Sequence, residues 1–310
     1  MSAVRTVFLG SGPFGVPSLR TLATRADVDL VGVVTAPPRP AGRGRALVAT
    51  PIDEAATDIG VPTILRPARL RDEAAVASIL ALRPVLAVLA DYGQIVPPAL
   101  LELPHGALNL HPSLLPRHRG ASPIPAAILA GDRETGVTLM RMDEGLDTGP
   151  IVAVERSSLD GTATAPDLEA RLAAVAADLL ARSIGPWLAG TLPAVPQPTD
   201  GATLTRTLRR EDGRLDPDRS ATDLERRVRA LQPWPGTFLE TSAGRLAVHA
   251  AHVEGGAADD ERGVLVAHGD GLALATADGR LVLDEVQPAG GRRMSGSALR
   301  RGRPGLAAGR

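Results

Sequence analysis

Three residues in the segment 106–150 have side chains that could catalyse the transfer of an acyl group. Asn109 and His111 lie two positions apart at the end of an apolar run, so their side chains would share one face of a strand. Asp147 follows in the turn sequence GLDTG. Amide and imidazole donors stabilise an oxyanion, and a carboxylate helps to move a proton. Because the set lacks a nucleophile, it suits direct transfer of an acyl group to an incoming amine.

Each of these residues also fits a structural role. Asn at the end of a strand often caps backbone groups, a histidine can be a hydrogen-bonded core residue, and Asp in GLDTG can form an Asx turn. The chain contains one Asn and no Lys. So strong a bias against Asn makes its presence beside His111 informative, and the three residues together favour the chemical interpretation.

The elements that must position these residues alternate between strands and helices. Apolar runs and helical spacing predict strands at 4–9, 62–65 and 85–89 and helices at 51–59, 71–82 and 167–180. This alternation indicates an α/β fold with a parallel sheet. Ligands bind at the carboxyl ends of the strands in such sheets, and the Pro-rich segment after His111 begins at such an end.

The composition changes near residue 190. The sequence GTLPAVPQPTDGATL is rich in Pro, Gly and Thr, which is typical of a linker. A short helix at 221–231 follows, and then four apolar runs separated by Gly and Asp turns: RLAVHAAHV, GVLVAHGD, GLALATADG and RLVLDEVQ. These runs predict a small barrel of the OB type, a fold that commonly binds nucleic acids.

Length and composition exclude several classes of protein. A chain of 310 residues supports roughly two domains. Aromatic residues make up only 2% of it, so the core must consist of Ala, Val, Leu and Ile. The absence of Cys excludes disulfides, thiolate catalysis and cysteine metal sites. No signal peptide or membrane-length apolar run is visible, and we expect a cytoplasmic protein without a membrane partner.

The sequence GSGPFG at 10–15 matches the glycine fingerprint of dinucleotide-binding proteins. That fingerprint requires an acid at the end of the second strand, whereas here the second strand ends at Thr35 and Ala36, and Asp29 lies at its beginning. Pro13 also removes one backbone donor from the turn. We therefore expect no bound nucleotide.

The distribution of charge points to a phosphate-bearing partner although the net charge is only −1. A Pro- and Gly-rich stretch at 36–50, which indicates a long mobile loop, contains three arginines and no acid. The segment 291–310 likewise contains arginines and no acid. Guanidinium groups suit phosphates, but a charge run is often only a solvated tail, so both interpretations stay open.

Several motifs together resemble the methionyl-tRNA formyltransferases over nearly the whole chain. They are RPAGRG, NLHPSLLPRHRG, AGDRETGVTLMRMDEGLDTGP, LQPWPGTFLE and VQPAGGRRMSG. The set of Asn109, His111 and Asp147 alone resembles the wider group of enzymes that move a formyl group from 10-formyltetrahydrofolate. The RPAGRG loop and the C-terminal third narrow the resemblance to the enzymes that act on tRNA.

The resemblance implies a Rossmann-like, mostly parallel formyltransferase domain at 1–189, a linker at 190–206 and a tRNA-binding β-barrel domain at 207–310. The implied activity transfers the formyl group of 10-formyltetrahydrofolate, the cosubstrate, to initiator methionyl-tRNA. Its catalytic residues are Asn109, His111 and Asp147. The implied folate-binding residues are Asp91, Tyr92, Gly93, Gln94, Ser113, Leu114, Leu115 and Pro116. The implied tRNA-binding residues are Arg39, Arg43, Arg45, Arg206, Arg209, Arg210, Arg292 and Arg293.

Two other functions are compatible with parts of the sequence. A formyltransferase acting on a small amine, such as a nucleotide sugar or glycinamide ribonucleotide, would share the Asn, His and Asp set, but the basic loop and the second barrel disfavour it. A catalytically silent tRNA-binding module would not need that set. The chain also departs from the family pattern at Pro38, at His118, where Trp is common, and at Pro125, where Gln is common.

We predict that formyl transfer needs neither a metal nor a nucleotide cofactor. Cys is absent, His249 and His252 fall on opposite faces of a predicted strand, and the glycine fingerprint lacks its acid. The rate of formyl transfer should be the same with and without EDTA, and NAD should not increase it. Loss of activity in EDTA, or its restoration by NAD, would show the prediction to be wrong.

Overall fold

The computed structural model describes residues 3–41, 46–256, 261–303 and 305–306. The chain forms two compact units. Unit 1 comprises Met1–Pro123, Glu134–Ser158 and Glu169–Thr205, and unit 2 comprises Ile124–Arg133, Leu159–Leu168 and Arg206–Arg310. The expected linker thus lies in unit 1 as far as Thr205, and the domain boundaries given above stay a prediction.

The first part of the chain alternates strands and helices as its sequence predicts. The strands are β1 (Val4–Gly10), β2 (Val28–Val34), β3 (Arg39–Ala41), β4 (Ala46–Val48), β5 (Ile64–Leu65), β6 (Leu86–Ala90), β7 (Ala107–His111), β8 (Arg119–Gly120), β9 (Glu134–Arg141), β10 (Ile151–Ser158) and β11 (Leu204–Thr205). The helices are α1 (Val16–Ala23), α2 (Pro51–Ile59), α3 (Glu73–Leu80), α4 (Pro98–Leu101), α5 (Pro123–Ala130) and α6 (Ala165–Leu188).

The main sheet of unit 1 has the order β10-β9-β7-β6-β1-β2-β5. The neighbours from β7 to β5 pair in parallel, whereas β9 pairs antiparallel with both β7 and β10. All five residues of β6 are buried, which explains its continuous apolar sequence. The prediction of a Rossmann-like, mostly parallel sheet is therefore confirmed.

Local sequence signals begin and end the helices that cover this sheet. The Thr50 side chain caps α2 by accepting a hydrogen bond from the Asp53 backbone N–H, and Pro51 occupies the first turn, where it has no donor to lose. Gly60 ends α2 with φ of 78°. One expectation is wrong in detail: strands β3 and β4 pair antiparallel within the stretch 36–50, where only a loop was predicted.

Unit 2 contains antiparallel strands around its own core. They are β12 (Thr237–Thr241), β13 (Gly244–Glu254), β14 (Leu265–His268), β15 (Gly271–Ala275), β16 (Arg280–Pro288) and β17 (Met294–Ser295), with helices α7 (Ala221–Ala230) and α8 (Gly296–Gly302). The sheet has the order β12-β13-β16-β15-β14, and β17 pairs with β16. Leu224 and Val228 of α7 pack with Val248 and Leu283 in the core. This unit is the small β domain that the sequence predicts.

Within the described part of the chain, no helix is both long and apolar enough to cross a membrane.

Replacing Ile79 with Ala should destabilise unit 1. Ile79 is fully buried on α3 beside Leu9 and Leu89, whereas the adjacent Leu80 is 38% exposed. We expect Ile79→Ala to lower the free energy of unfolding by about 2–5 kcal/mol, through lost apolar burial and a residual cavity. Leu80→Ala is the matched control and should cost no more than about 1 kcal/mol. Urea titration of both variants measures the difference, and equal costs would contradict the packing described here.

Candidate functional site

Strand β7 brings Asn109 and His111 to the open end of the sheet. Their alternate positions share one face, and in the pairing register Asn109 lies opposite Leu89 on β6 and Met140 on β9. His111 lies opposite Thr138 at the end of the strand. Strand β7 thus stands where the parallel part of the sheet meets its antiparallel edge, and its carboxyl end presents both side chains.

One ring nitrogen of His111 forms a hydrogen bond with the backbone. Its side chain is 5% exposed, and Nε2 lies 2.9 Å from the carbonyl oxygen of His118. A carbonyl only accepts hydrogen bonds, so Nε2 carries the proton and donates it. In the neutral imidazole, Nδ1 is then a free acceptor. Burial lowers the pKa of His111 below its ordinary value, and the charge of Asp147 opposes that shift.

Asp147 faces the free nitrogen of His111. Its Oδ2 lies 3.6 Å from His111 Nδ1 and accepts a 2.7 Å hydrogen bond from the Gly120 backbone N–H. Asp147 has φ of 52°, a left-handed conformation that Asp tolerates better than most residues. Two positions later the chain packs so closely that a Cβ on Gly149 would lie 1.9 Å from the Arg141 carbonyl oxygen. The turn therefore holds the carboxylate in one place.

The gap between Nδ1 and Oδ2 determines what this pair can do. It is longer than the roughly 2.7–3.2 Å of an N–H···O hydrogen bond. When the imidazole is neutral, His111 Nδ1 and Asp147 Oδ2 each present a lone pair to the other. An N–H donor or a proton placed between these two atoms would therefore be shared by both. The pair can accept a proton from an amine that reacts beside it.

The Asn109 side chain is available for the same reaction. It is half-buried, and among the described residues none forms a hydrogen bond with its amide. A capping Asn would instead be bonded to a neighbouring backbone group. The free amide can donate to an oxygen atom that gains negative charge beside β7.

The residues that follow His111 form a tight turn. The peptide bond between Leu115 and Pro116 is cis. The Ser113 hydroxyl donates to the Arg117 carbonyl oxygen at 2.6 Å, and the hydroxyl of Thr138 links the Ser113 carbonyl to the Leu115 N–H. Of the predicted folate-binding residues here, Ser113 and Leu115 are buried, and Leu114 and Pro116 are partly exposed.

The other predicted folate-binding residues lie in the loop after β6. A Cβ on Gly12 would lie 1.5 Å from Asp91 Oδ2, so the Asp91 carboxylate covers the glycine turn after β1. Desolvation by the surrounding protein raises the pKa of Asp91. The pKa of Glu169 is also raised, mainly by burial and in addition by the nearby negative charge of Asp91. Gly93 is exposed and has space around its Cα. This loop therefore borders the open end of the sheet.

Tyr92 and Gln94, in the same loop, have different surroundings. The Tyr92 hydroxyl is buried with no hydrogen-bond partner among the described residues, and burial raises the pKa of Tyr92 to about 12. The Gln94 side chain accepts from the Leu70 N–H at 2.6 Å and donates to the Pro67 carbonyl. Gln94 is thus engaged in holding the segment 67–70.

The predicted tRNA-binding arginines are spread over both units. Arg43 and Arg45 lie outside the described residues, and Arg39 is exposed on β3. Arg206 pairs with Asp212, and Arg293 lies 3.7 Å from Glu285. Three further arginines, Arg209, Arg210 and Arg292, are exposed.

Sequence reasoning missed three residues that contact the site. Gln197, Thr203 and Thr205 lie in the segment expected to be a linker, yet their side chains bond to the turns that contain Asp147 and His118. The one sequence feature that could have indicated these contacts is the presence of polar residues in a segment otherwise rich in Pro and Gly. No group of three or more His, Cys, Asp or Glu side chains in the described chain could hold a metal ion.

Comparison with known proteins gives a consistent result across the chain. Residues 4–184 match the family model described as "Formyl transferase", and residues 207–304 match "Formyl transferase, C-terminal domain". The methionyl-tRNA formyltransferase of Myxococcus xanthus (strain DK1622) is 44% identical and that of Roseiflexus sp. (strain RS-1) 45% identical. The alignments cover 95% and 96% of this chain and 93% and 92% of the relatives.

Solved structures support the fold alone, since their sequence identities are low. The N-formyltransferase of Helicobacter canadensis has a TM-score of 0.67 at 14% identity, over 94% of this chain and 100% of its own. The methionyl-tRNA formyltransferase of Clostridium thermocellum has a TM-score of 0.54 at 17% identity, over 81% of this chain and 94% of its own.

Removing the Asp147 charge should lower the pKa of His111 further. The carboxylate stabilises the imidazolium, so Asp147→Asn removes the largest effect that opposes the lowering of the His111 pKa by burial. NMR titration of the imidazole signals, assigned with a His111→Ala protein, measures the shift. Asp58→Asn, which removes an exposed carboxylate on α2, is the control and should leave the value in place. An unchanged or raised pKa in Asp147→Asn would contradict the geometry of the pair.

Proposed function

The chain belongs to the formyl transferase family and is a relative of the methionyl-tRNA formyltransferases, and from this premise we propose that it formylates methionyl-tRNA. The resemblance noted in its sequence is confirmed. The formyl group comes from 10-formyltetrahydrofolate and goes to the free amino group of the initiator methionyl-tRNA. The observation that carries the chemistry is the facing pair of His111 Nδ1 and Asp147 Oδ2 at the end of β7.

The first step is attack of the methionyl amine on the formyl carbon. A C–N bond forms, and the carbonyl oxygen becomes an oxyanion that needs donors already in place. The Asn109 amide supplies an N–H for it. Because the Asn109 amide has no hydrogen-bond partner among the described residues, it can donate to the oxyanion without giving up another bond there.

The second step moves one proton. The attacking nitrogen becomes positively charged, and His111 Nδ1 and Asp147 Oδ2 accept its proton at the gap between them. The imidazolium so formed is stabilised by the carboxylate and can donate its new N–H to the oxyanion. When the intermediate collapses, the C–N bond to folate breaks and the proton passes to the departing nitrogen, which restores the neutral imidazole beside the carboxylate.

We further propose where the two substrates bind. The folate lies against the loop 91–94 and the turn 113–116, with the Tyr92 hydroxyl as the unpartnered polar group in that region. The tRNA is held mainly through its phosphates by the exposed arginines named above. These roles rest on the resemblance of the sequence motifs and on the positions of the residues, and a cytoplasmic location fits them.

The 44% and 45% identity to methionyl-tRNA formyltransferases over 95% and 96% of the chain favours tRNA over a small amine as the acceptor. The test is transfer of labelled formyl from 10-formyltetrahydrofolate to methionyl-tRNA, compared with a nucleotide-linked amino sugar and glycinamide ribonucleotide. We expect label in tRNA only. Label in a small amine would support the formyltransferase alternative, and binding of tRNA without any transfer would support the silent module.

Asn109→Ala and Asp147→Asn should each slow that reaction strongly. Loss of one donor to an oxyanion typically reduces turnover by about 10²–10³-fold, and loss of the carboxylate removes half of the proton-accepting pair. We expect kcat to fall by at least that factor, with tRNA affinity and thermal stability close to those of the parent. Asp58→Asn is the control. Parental kcat in either folded variant would assign that residue a capping or turn role instead.

Arg43→Ala should weaken the use of tRNA without affecting folate. We propose that the stretch 36–50 binds phosphates. Arg43 should then contribute more to kcat/KM for tRNA at 50 mM salt than at 200 mM, because neutralising one phosphate releases about one counterion. kcat/KM for tRNA at both salt concentrations and folate affinity by fluorescence are the measurements. Arg20→Ala, at an exposed position on α1, is the control. Identical tRNA kinetics for Arg43→Ala and the parent would remove Arg43 from the binding surface.

A further inference from the structure

Residues 195–205, called the strap below, are bonded to unit 1 at both ends. Val195 and Ile151 exchange two backbone hydrogen bonds of 2.7 Å. At the other end, β11 pairs in parallel with β8, the strand that contains Gly120. A Cβ on Gly120, which has φ of 106°, would lie 2.3 Å from the Thr205 carbonyl oxygen, so the two strands approach closely. The strap is therefore part of the structure around the site.

Two threonines of the strap hold the turn that carries the His118 carbonyl. The Thr203 hydroxyl accepts a hydrogen bond from the His118 N–H at 2.8 Å, and the Thr203 carbonyl accepts one from the Arg119 N–H at 2.9 Å. The Thr205 hydroxyl donates to the Arg119 carbonyl and accepts from the Ser122 N–H, both at 3.0 Å. These bonds fix the backbone group that selects the tautomer of His111.

Gln197 connects that turn with the turn of Asp147. Its Nε2 donates to the carbonyl oxygens of Asp147 and Gly149, both at 2.8 Å. Its Oε1 accepts from Arg119 Nε at 3.1 Å and Nη2 at 2.7 Å. Both N–H groups and both lone pairs of the amide are used, so only an amide of this length satisfies all four partners.

The Asp147 turn needs such external support because its backbone is not in a favoured conformation. A non-glycine residue at positive φ persists where the surrounding structure holds it. On the side-chain face, the Gly120 N–H bonds to the carboxylate. On the backbone face, Gln197 bonds to the carbonyl of Asp147 itself. Asp147 is thus held by one hydrogen bond to its carboxylate and another to its backbone carbonyl.

We propose that Gln197 is a positioning residue for formyl transfer, because its amide joins the Asp147 turn to the Arg119 turn. This inference rests on the proposed function, in which Asp147 and His111 share a proton. Gln197 touches neither substrate nor reacting atoms. It acts by keeping Oδ2 of Asp147 in its place opposite Nδ1 of His111.

The test compares Gln197→Ala and Gln197→Glu with the parent. Glu keeps an acceptor for Arg119 and lacks the two N–H groups that bind the carbonyls, so a positioning role through those donors predicts that both variants are impaired. We expect kcat to fall by about 10–100-fold, as for a small misplacement of a catalytic group, with KM for both substrates within about 2-fold. Gln287→Ala in unit 2 is the matched control. Parental kcat in Gln197→Glu would overturn the role of the donors.

A double-mutant cycle shows whether Gln197 acts through Asp147. If it does, Gln197→Ala should change kcat by less than about 2-fold when Asp147 is already Asn, because residues that act as one unit are not additive. Full additivity of the two substitutions would overturn the inference.

Amide hydrogen exchange supplies a readout that does not depend on activity. In Gln197→Ala, exchange should rise in 143–150 and at Gly120 while β1 and β6 keep the protection of the parent. Unchanged exchange at those sites, or a rise throughout unit 1, would overturn the positioning role. A parent protein that shows no formyl transfer would refute the proposed function, and the exchange result would still decide whether Gln197 holds the turn.

Discussion

The hydrogen bond from His111 Nε2 to the His118 carbonyl is the interaction on which the proposed chemistry depends. It places the proton of the neutral ring on the nitrogen that faces the backbone, and leaves Nδ1 as the acceptor. The other tautomer would put an N–H against the Asp147 carboxylate and leave a nitrogen lone pair against a carbonyl oxygen, which is unfavourable in a buried site. One backbone group therefore determines how the imidazole can react.

Neighbouring strands of the main sheet in unit 1 lead to the two residues of the proton-accepting pair. His111 ends β7, and Asp147 lies in the connection between β9 and β10, the two antiparallel strands at that edge. Because β9 runs opposite to β7, it ends beside the first residue of β7, where the Ala107 carbonyl accepts a hydrogen bond from the Met142 N–H at 2.8 Å. The connection between β9 and β10 therefore begins at the other end of β7 from His111 and extends back toward the carboxyl end of β7, where Asp147 Oδ2 lies 3.6 Å from His111 Nδ1.

The catalytic strand could be predicted from the sequence and the strap could not, because only the strand follows local rules. Period-two spacing places Asn109 and His111 on one face, and the continuous apolar sequence of β6 indicates a buried central strand. The strap instead has the composition of a flexible connection. Hydrogen bonds from Gln197 and Thr203 to groups about 50–85 residues away order it. A single sequence does not identify such partners, because Gln and Thr also occur in loops whose side chains contact only solvent.

The surroundings of Asn109 explain why its amide has no hydrogen-bond partner in the described part of the chain. Its neighbours in register, Leu89 and Met140, are almost fully buried and offer no polar side-chain group except the weakly accepting thioether of Met140. Once water is displaced from the site, a donor flanked by apolar side chains interacts more strongly with a developing negative charge. The strand therefore fixes the position of the Asn109 backbone, while no hydrogen bond within the described residues engages its amide. That combination of fixed position and unused donor is what stabilisation of an oxyanion requires.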